Sequence, residues 1–117
     1  MNRFINFSNH PLKNWCDKQI EEANTYGEVI DMEFPAVDAD RNEEEIALLA
    51  DRCVDEIMKY EPAVVMCQGE FTLSYAIINR LKNKNIKVVA ACSQRQTKEI
   101  GNKKISEFNF VRFREYN

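Results

Sequence analysis

The residues of this 117-residue chain that could carry chemistry follow short apolar stretches. The single imidazole, His10, could act as a general acid or base near neutral pH. Hydroxyls and a guanidinium suit phosphate oxygens, and backbone N–H groups at a glycine turn before a helix suit anions. Grouped by the stretch that they follow, the candidates are Ser8, Asn9 and His10; Asp38; Gln68, Gly69, Glu70 and Thr72; and Ser93, Gln94 and Arg95.

Each candidate also has a purely structural interpretation. The hydroxyl side chains could cap their own turns, His10 could cap a helix, and Arg95 could form a surface ion pair. A carboxylate such as Glu70 is favourable in the first turn of a helix, but it would repel a phosphate held by the same N–H groups. A ribose hydroxyl or an oxocarbenium-like centre would therefore suit Glu70 better than a phosphate.

The segment of residues 63–72 organises the elements that must position these side chains. Pro62 ends the preceding helix, and five apolar residues follow without polar alternation, which is typical of a buried parallel strand. Gly69 then supplies a turn, and helical periodicity begins at Glu70. The backbone N–H groups of Gly69, Glu70 and Phe71 could converge there, so we predict that this turn forms the floor of a ligand site.

The rest of the chain alternates between strands and helices. We predict strands over residues 3–7, 29–34 and 86–92, a helix from Pro11 to about Gly27, and a helix that Asn42 and Glu45 begin as a capping box. Residues 95–100 and 105–115 would form a C-terminal hairpin, in which the apolar side shifts by one residue near Val111, as at a bulge or in a strand buried on both faces.

This order predicts one α/β domain over residues 1–117, a three-layer Rossmann-like fold. Its sheet would have four parallel strands in the order 2-1-3-4, with the hairpin beyond the fourth strand. Ligands bind such sheets at the carboxyl ends of the strands, near the point where the strand order reverses. Here that point lies between strands one and three.

The third helix, predicted from Glu70 to about residue 83, has two apolar rows. One row should cover the sheet, and we favour the core over a subunit contact for the other. The first row contains Leu73, Ala76, Ile77 and Leu81, and the second contains Phe71, Tyr75 and Ile78.

Composition narrows the class of protein. The net charge of −3 argues against a non-specific binder of long nucleic acids. Residues 38–61 carry nine acids and three bases, a net −6, whereas residues 95–117 carry six bases and three acids, a net +3, so an anionic ligand should lie towards the C-terminal segment. We predict four reduced core cysteines, no metal site, no cofactor and no membrane segment, and hence a cytoplasmic protein.

The N-terminal segment resembles that of small CRISPR-associated proteins related to the CRISPR-associated Rossmann fold, some of which are ring nucleases. The resemblance lies in Trp15, Gln19 and the run Asn6-Phe7-Ser8-Asn9-His10-Pro11. It implies an antiviral homodimer that binds cyclic oligoadenylate across its two-fold axis. Where such proteins cleave the ring, they usually need no metal and use attack of a ribose 2′-hydroxyl on the neighbouring phosphate, and the resemblance leaves open whether this chain cleaves or only binds. By position, Ser8, Asn9 and His10 match the first-strand loop of that family.

Two alternatives remain open. The run from Gly69 to Ala76 is similar to the helix start of nucleoside deoxyribosyltransferases, which implies an N-glycosidase-like enzyme using Glu70, although Glu70 precedes Thr72 here and departs from that pattern. The other alternative is a non-enzymatic module that binds a partner through the second row of the third helix. We therefore predict His10, Ser8 and Glu70 as catalytic candidates. The predicted ligand contacts are Asn9, Gln68, Gly69, Thr72, Ser93, Gln94 and Arg95.

Overall fold

The computed structural model describes residues 2–117 and contains one five-stranded sheet. The strands are β1 (Arg3–Ser8), β2 (Glu28–Glu33), β3 (Val64–Cys67), β4 (Lys87–Ile100) and β5 (Lys103–Glu115). Their order is β2-β1-β3-β4-β5, with β1 to β4 parallel and β5 antiparallel to β4. The predicted α/β class, the 2-1-3-4 order and the terminal hairpin are confirmed.

The helices lie on both faces of this sheet. They are α1 (Asp17–Asn24), α2 (Glu43–Met58) and α3 (Phe71–Asn83), and a short 3-10 turn spans Leu12–Asn14. On one face α2 and α3 cover Ile5, Val65 and Val88; on the other the 3-10 turn, Trp15 and α1 pack with Phe4 and Met66. No helix within residues 2–117 has the length and apolar content needed to span a membrane.

Local sequence explains how α2 begins. The Asn42 side chain accepts a hydrogen bond from the Glu45 backbone N–H (2.9 Å), and the Glu45 carboxylate accepts one from the Asn42 N–H (3.2 Å). These bonds satisfy two of the backbone donors that a helix start leaves open. The predicted capping box is confirmed.

The predicted first helix is wrong as a continuous element. Trp15 and Cys16 are extended, with ψ near 148° and 162°, and they separate the 3-10 turn from α1. The reason is tertiary: the Trp15 indole is buried in the core and donates a hydrogen bond to the His10 carbonyl (2.8 Å). Cys16 consequently points to solvent, so the expectation of four core cysteines fails at this residue.

The C-terminal hairpin is longer than predicted because its first strand is the continuation of β4. Cys92 pairs with Arg112 and Ser93 pairs with Phe110, which leaves Val111 as the extra residue of a bulge. The bulge restores the apolar register without breaking either strand, and it confirms one of the two predicted explanations for the shift. Residues 93–109 then extend from the domain as an exposed two-stranded ribbon, named the ribbon below.

The two apolar rows of α3 differ in burial. Leu73, Ile77 and Leu81 are fully buried against the sheet, as predicted for the first row. In the second row Phe71 is 90% exposed and Tyr75 is 71% exposed, so the expectation that this row is core is wrong for both residues. The other helix on this face, α2, leaves the outer side of α3, with Phe71 and Tyr75, exposed.

Candidate functional site

An open pocket of about 430 Å³ lies where β1 and β3 end, beside Ala91 and Ser93 within β4, on the face of the sheet that carries α1. It is near the predicted switch point between β1 and β3. Three of the candidates that the sequence singled out meet there, namely His10, Gln68 and Ser93. The other lining residues are Asn14, Trp15, Gln19, Met66, Ala91 and Phe108.

The loop after β1 takes its shape from the buried amide of Asn6. Its Nδ2 donates to the His10 carbonyl (2.8 Å) and to Asp31 Oδ1 on the neighbouring strand β2 (2.9 Å). Its Oδ1 accepts a hydrogen bond from the Ser8 hydroxyl (2.6 Å). Since Asn6 is only 1% exposed, these bonds satisfy an amide that would otherwise be costly to bury.

Further hydrogen bonds fix the position of His10. Its backbone N–H donates to Ser8 Oγ (3.1 Å), and its carbonyl accepts from both Asn6 and the Trp15 indole. The Asp31 carboxylate accepts from the Leu12 N–H on the far side of the loop (3.2 Å). The backbone of His10 is therefore held firmly, while its imidazole lies at the pocket wall, exposed to solvent.

The same loop separates this pocket from a second one of about 530 Å³, at the ends of β1 and β2. Ser8 and Asn9 line the second pocket, on the other side of the loop from His10. Asp31 and Glu33 also line it, which makes it acidic. The structure thus divides the first-strand candidates between two pockets, and the Ser8 hydroxyl is used inside the loop.

The turn after β3 contributes one pocket residue, Gln68. Its Oε1 accepts a hydrogen bond from the Ala91 N–H of β4 (2.7 Å), which leaves the Nε2 donors for a ligand. The next residue, Gly69, is required to be a glycine because its Cα packs against the buried ring of Phe34. A Cβ there would lie 2.5 Å from ring carbons. Close packing therefore explains this glycine without any ligand.

Glu70 and Thr72 lie at the start of α3, outside the set of residues that line the 430 Å³ pocket. Glu70 is the N-cap of the helix: its carboxylate accepts from the Thr72 hydroxyl (2.7 Å) and the Leu73 N–H (2.7 Å). The Thr72 hydroxyl, and then the Leu73 N–H, lower the pKa of Glu70. Thr72 itself lines a shallow groove between the starts of α2 and α3.

Gln94 and Arg95 lie on the ribbon, where both are exposed. Arg95 donates to the Ser106 hydroxyl through Nε (3.3 Å) and Nη2 (3.0 Å), and its guanidinium carbon is 6.0 Å from the centre of the Phe108 ring. Ser93, Arg95, Phe108 and Phe110 share one face of the ribbon by strand alternation. That face carries Phe110 into the core on the α1 side, so Arg95 lies on the pocket side of the ribbon.

Comparison with known proteins places the chain in a family. Residues 2–114 match the model of the Uncharacterized protein MJ1673 family. The chain belongs to that family. No curated protein matches it. A solved structure, "Crystal structure of UDP-N-acetylglucosamine 2-epimerase", is similar to 78% of this chain with 15% identity and a TM-score of 0.44, and the match covers 33% of that protein, so this chain spans about a third of its length.

Sequence reasoning missed several functional candidates of this MJ1673-family chain. Asn6 begins the N-terminal run that carries the resemblance, but like Asp31 it lies inside a strand, where no polar pattern indicates a role for it. Phe108 lies 15 positions beyond Ser93 and reaches the pocket only because the hairpin folds back. Trp15 and Gln19 belong to the N-terminal motif, yet their place in the pocket wall follows from the break between the 3-10 turn and α1.

The pocket can bind a ligand that is partly aromatic and partly polar. Phe108, 69% exposed, offers a ring face, while Asn14, Gln19 and Gln68 offer amide groups. His10 is the one imidazole that lines the pocket, and an imidazole is a suitable general acid or base. Within residues 2–117 no group of three or more His, Cys, Asp or Glu side chains is placed to hold a metal ion.

Proposed function

We propose that the 430 Å³ pocket binds a nucleotide ligand, with cyclic oligoadenylate as the leading candidate, and that His10 assists its cleavage without a metal ion. The observation that carries the proposal is that His10, Gln68 and Ser93 meet an exposed aromatic ring, Phe108, where the parallel strands β1 and β3 end beside β4. Pockets at this position of an α/β sheet commonly bind nucleotides.

Charge favours this pocket over its neighbour for an anionic ligand. Its described lining residues include an imidazole and no carboxylate, and Arg95 lies on the same side of the ribbon. The 530 Å³ pocket has Asp31 and Glu33 in its wall, and these would repel a phosphate. The proposed ligand therefore lies between the His10 loop and the base of the ribbon.

The lining residues also suit a nucleobase. Bases that are not paired in a helix are commonly stacked on aromatic rings and bound by side-chain amides at their edges. Phe108 would stack on the base, and the amides of Gln19 and Gln68 would bind its polar edge. Asn and Gln amides match the donor and acceptor pair of adenine particularly well.

Cleavage would proceed by attack of a ribose 2′-hydroxyl on the adjacent phosphorus. The bond to the 5′-oxygen of the next nucleotide breaks, giving a 2′,3′-cyclic phosphate and a free 5′-hydroxyl. His10 would accept the 2′-hydroxyl proton or donate a proton to the leaving oxygen, and the Ser93 hydroxyl and Arg95 would stabilise charge on the phosphate. In a homodimer a cyclic ligand would contact the same pocket in both protomers.

The test incubates purified, metal-free protein with cyclic oligoadenylates of different ring sizes and follows binding by calorimetry and products by chromatography. We expect saturable binding and linear products that end in 2′,3′-cyclic phosphate. His10→Ala should keep binding and slow cleavage by about 10²-fold or more, the usual contribution of a general acid or base. Gln68→Ala should weaken binding.

Glu33→Gln is the matched control, because it changes a polar residue of the neighbouring pocket. It should leave binding and products unchanged. Saturable binding without products would reduce the proposal to a sensor, and an absence of binding to every oligoadenylate and mononucleotide tested would overturn it. Release of free base from a nucleoside, lost in Glu70→Gln, would instead support the glycosidase alternative.

A further inference from the structure

The outer side of α3 presents an unpartnered apolar strip. Phe71, Tyr75 and Ile78 recur at positions i, i+4 and i+7, the spacing of a seam between two packed helices. Phe71 and Tyr75 are 90% and 71% exposed, while Ile78 is half-buried at the edge of the core. Two large aromatic side chains this exposed on adjacent helical turns are typical of an interaction surface.

Beyond β3 and β4, on which α3 packs, the sheet continues into its edge strand β5. Arg112 and Arg114 pair with Cys92 and Ala90, and strand alternation places all four on the face that carries α2 and α3. Both arginines are exposed, and neither forms an ion pair with another residue of the described range 2–117. This end of β5 thus forms an exposed basic shelf.

A negatively charged side chain, Glu70, lies at the same height as the two arginines along the direction of the strands. Glu70, directly before the strip, is exposed and ionised, since its pKa is lowered, and it has no cationic partner among the described residues. Like the two arginines, it lies beyond the last pair of residues that joins β3 to β4, Met66 with Val89, at the carboxyl edge of the sheet. The same edge of the molecule therefore carries an exposed aromatic strip, an unpaired acid at the N-terminal end of that strip, and two unpaired bases on β5.

We propose that this surface binds a second copy of the chain, through a two-fold axis that runs along the strands. Such an axis leaves the height of every residue along the strand direction unchanged. Glu70 of each protomer then meets the Arg112 and Arg114 shelf of its partner, and the Phe71 and Tyr75 strips pack together. Two-fold interfaces require one patch to be complementary to itself, and this patch satisfies that condition in polarity and charge.

The arrangement has a consequence for the pockets. Because the axis runs along the strands, the carboxyl edges of both protomers face the same side of the dimer. The two 430 Å³ pockets then open towards a common side. This inference stands on the exposed strip and the charges alone, and it holds whether or not the pocket binds a nucleotide.

The test is analytical ultracentrifugation of the ligand-free chain over a range of concentrations. We expect a monomer–dimer equilibrium, and the double variant Phe71→Asp, Tyr75→Lys should raise the dimer dissociation constant at least about thirtyfold, the effect of losing central aromatic anchors. The new carboxylate occupies the first helical position and the new ammonium follows four residues later, so α3 itself is supported. Circular-dichroism melting should show that the variant is folded.

Two further variants make the result decisive. Arg112→Glu, Arg114→Glu should weaken the dimer about tenfold and reduce its sensitivity to salt, as expected for interface charges. Leu48→Asp, at a side chain of α2 that is 61% exposed, is the matched control and should leave the dimer intact. A wild-type chain that stays monomeric, or a dimer that survives both the aromatic and the arginine variants, would overturn the inference.

Discussion

At the scale of single residues, Gly69 is required by packing. A Cβ at this position would lie 2.5 Å from the ring of Phe34, which is 3% exposed and surrounded by core residues. We predict that Gly69→Ala lowers the free energy of unfolding by about 1–3 kcal/mol, the usual cost of overpacking. Urea denaturation measures this loss.

Phe34→Leu replaces the ring with a smaller side chain and leaves room for the added methyl group. The double variant should therefore recover part of the lost stability, because the two positions share one volume. A Gly69→Ala protein as stable as the wild type would show that the turn can shift away from Phe34. The close contact would then not explain the glycine, and its backbone N–H would regain importance as a ligand group.

Glu70 gives a prediction with a defined pH dependence. The Thr72 hydroxyl and the Leu73 N–H lower its pKa in the folded chain, so its stabilising effect is complete above the unfolded value of about 4.3 and is lost as the pH falls through the folded pKa. Glu70→Ala should cost about 1 kcal/mol at neutral pH, as other N-caps do. Thermal melting of both proteins at a series of pH values should show the difference shrinking in acid.

The control for this measurement is Glu44→Ala, which removes a first-turn carboxylate of α2 that is not its N-cap. It should cost only a few tenths of a kcal/mol to about 1 kcal/mol, the range of an exposed helix-dipole interaction. An equal loss for both variants at every pH would show that Glu70 acts through the helix dipole alone.

At the scale of elements, Asn6 joins β1, β2 and the loop that carries His10. Asn6→Ala would remove three hydrogen bonds at once, those of the Asn6 amide with the Ser8 hydroxyl, the His10 carbonyl and Asp31 Oδ1. We predict a loss of about 1–3 kcal/mol in the free energy of unfolding, since each hydrogen bond contributes about 0.5–1.5 kcal/mol. Urea denaturation measures it, and Asn9→Ala, at an exposed neighbour, should change stability by less than about 0.5 kcal/mol.

Asn6→Ala also tests whether the hydrogen bonds of Asn6 hold the His10 loop in position. If the Asn6 network holds the His10 loop in place, Asn6→Ala should also increase backbone motion at His10, seen as lower NMR order parameters at its amide. Unchanged order at His10 would mean that the remaining bonds of the loop, from the Trp15 indole to the His10 carbonyl and from the His10 N–H to Ser8 Oγ, are sufficient to fix it.

At the scale of the whole molecule, the ribbon makes the chain elongated. The radius of gyration is 15.7 Å and the principal extents are 50 × 39 × 25 Å, whereas a compact domain of this length has a radius of about 13 Å. Two-stranded ribbons without a covering layer are only marginally stable in water. We therefore predict that amides of residues 94–109 exchange with deuterium through local opening.

Core amides should behave differently. Ile5 and Val65 lie in strands that are buried on both faces, so their amides should exchange only through openings close to global unfolding. Hydrogen exchange followed by NMR compares the two sets in one sample. Ribbon amides as slow as those of β1 and β3 in a monomeric sample would contradict the prediction.

Much of the fold follows from the sequence because the signals are local. Apolar runs mark β1, β3 and the first part of β4, a capping box marks the start of α2, and a βαβ order restricts the sheet to few arrangements. The helix predicted from Pro11 failed because its periodic apolar residues, Trp15 among them, pack in the core without being helical. Periodicity reports which residues are buried, and it does not report whether the backbone between them is continuous.

The candidate site was predictable to a smaller degree. The carboxyl ends of the strands follow from topology, which is why His10, Gln68 and Ser93 meet. Whether a polar side chain there points to a ligand or back to its own backbone depends on bonds between distant segments. Ser8 and Glu70 turn towards the loop and the helix start, respectively, and no spacing in the sequence indicates that choice.

By itself, therefore, the sequence determined the α/β class, the order of the strands and the edge of the sheet at which polar residues gather, because burial and chain connectivity are encoded in local patterns. Only the tertiary structure decided that the loop after β1 divides two pockets, that Phe108 returns to the site from the ribbon, and that Phe71 and Tyr75 remain exposed. These features depend on contacts between residues far apart in the chain, and such contacts exist only once all three layers have packed.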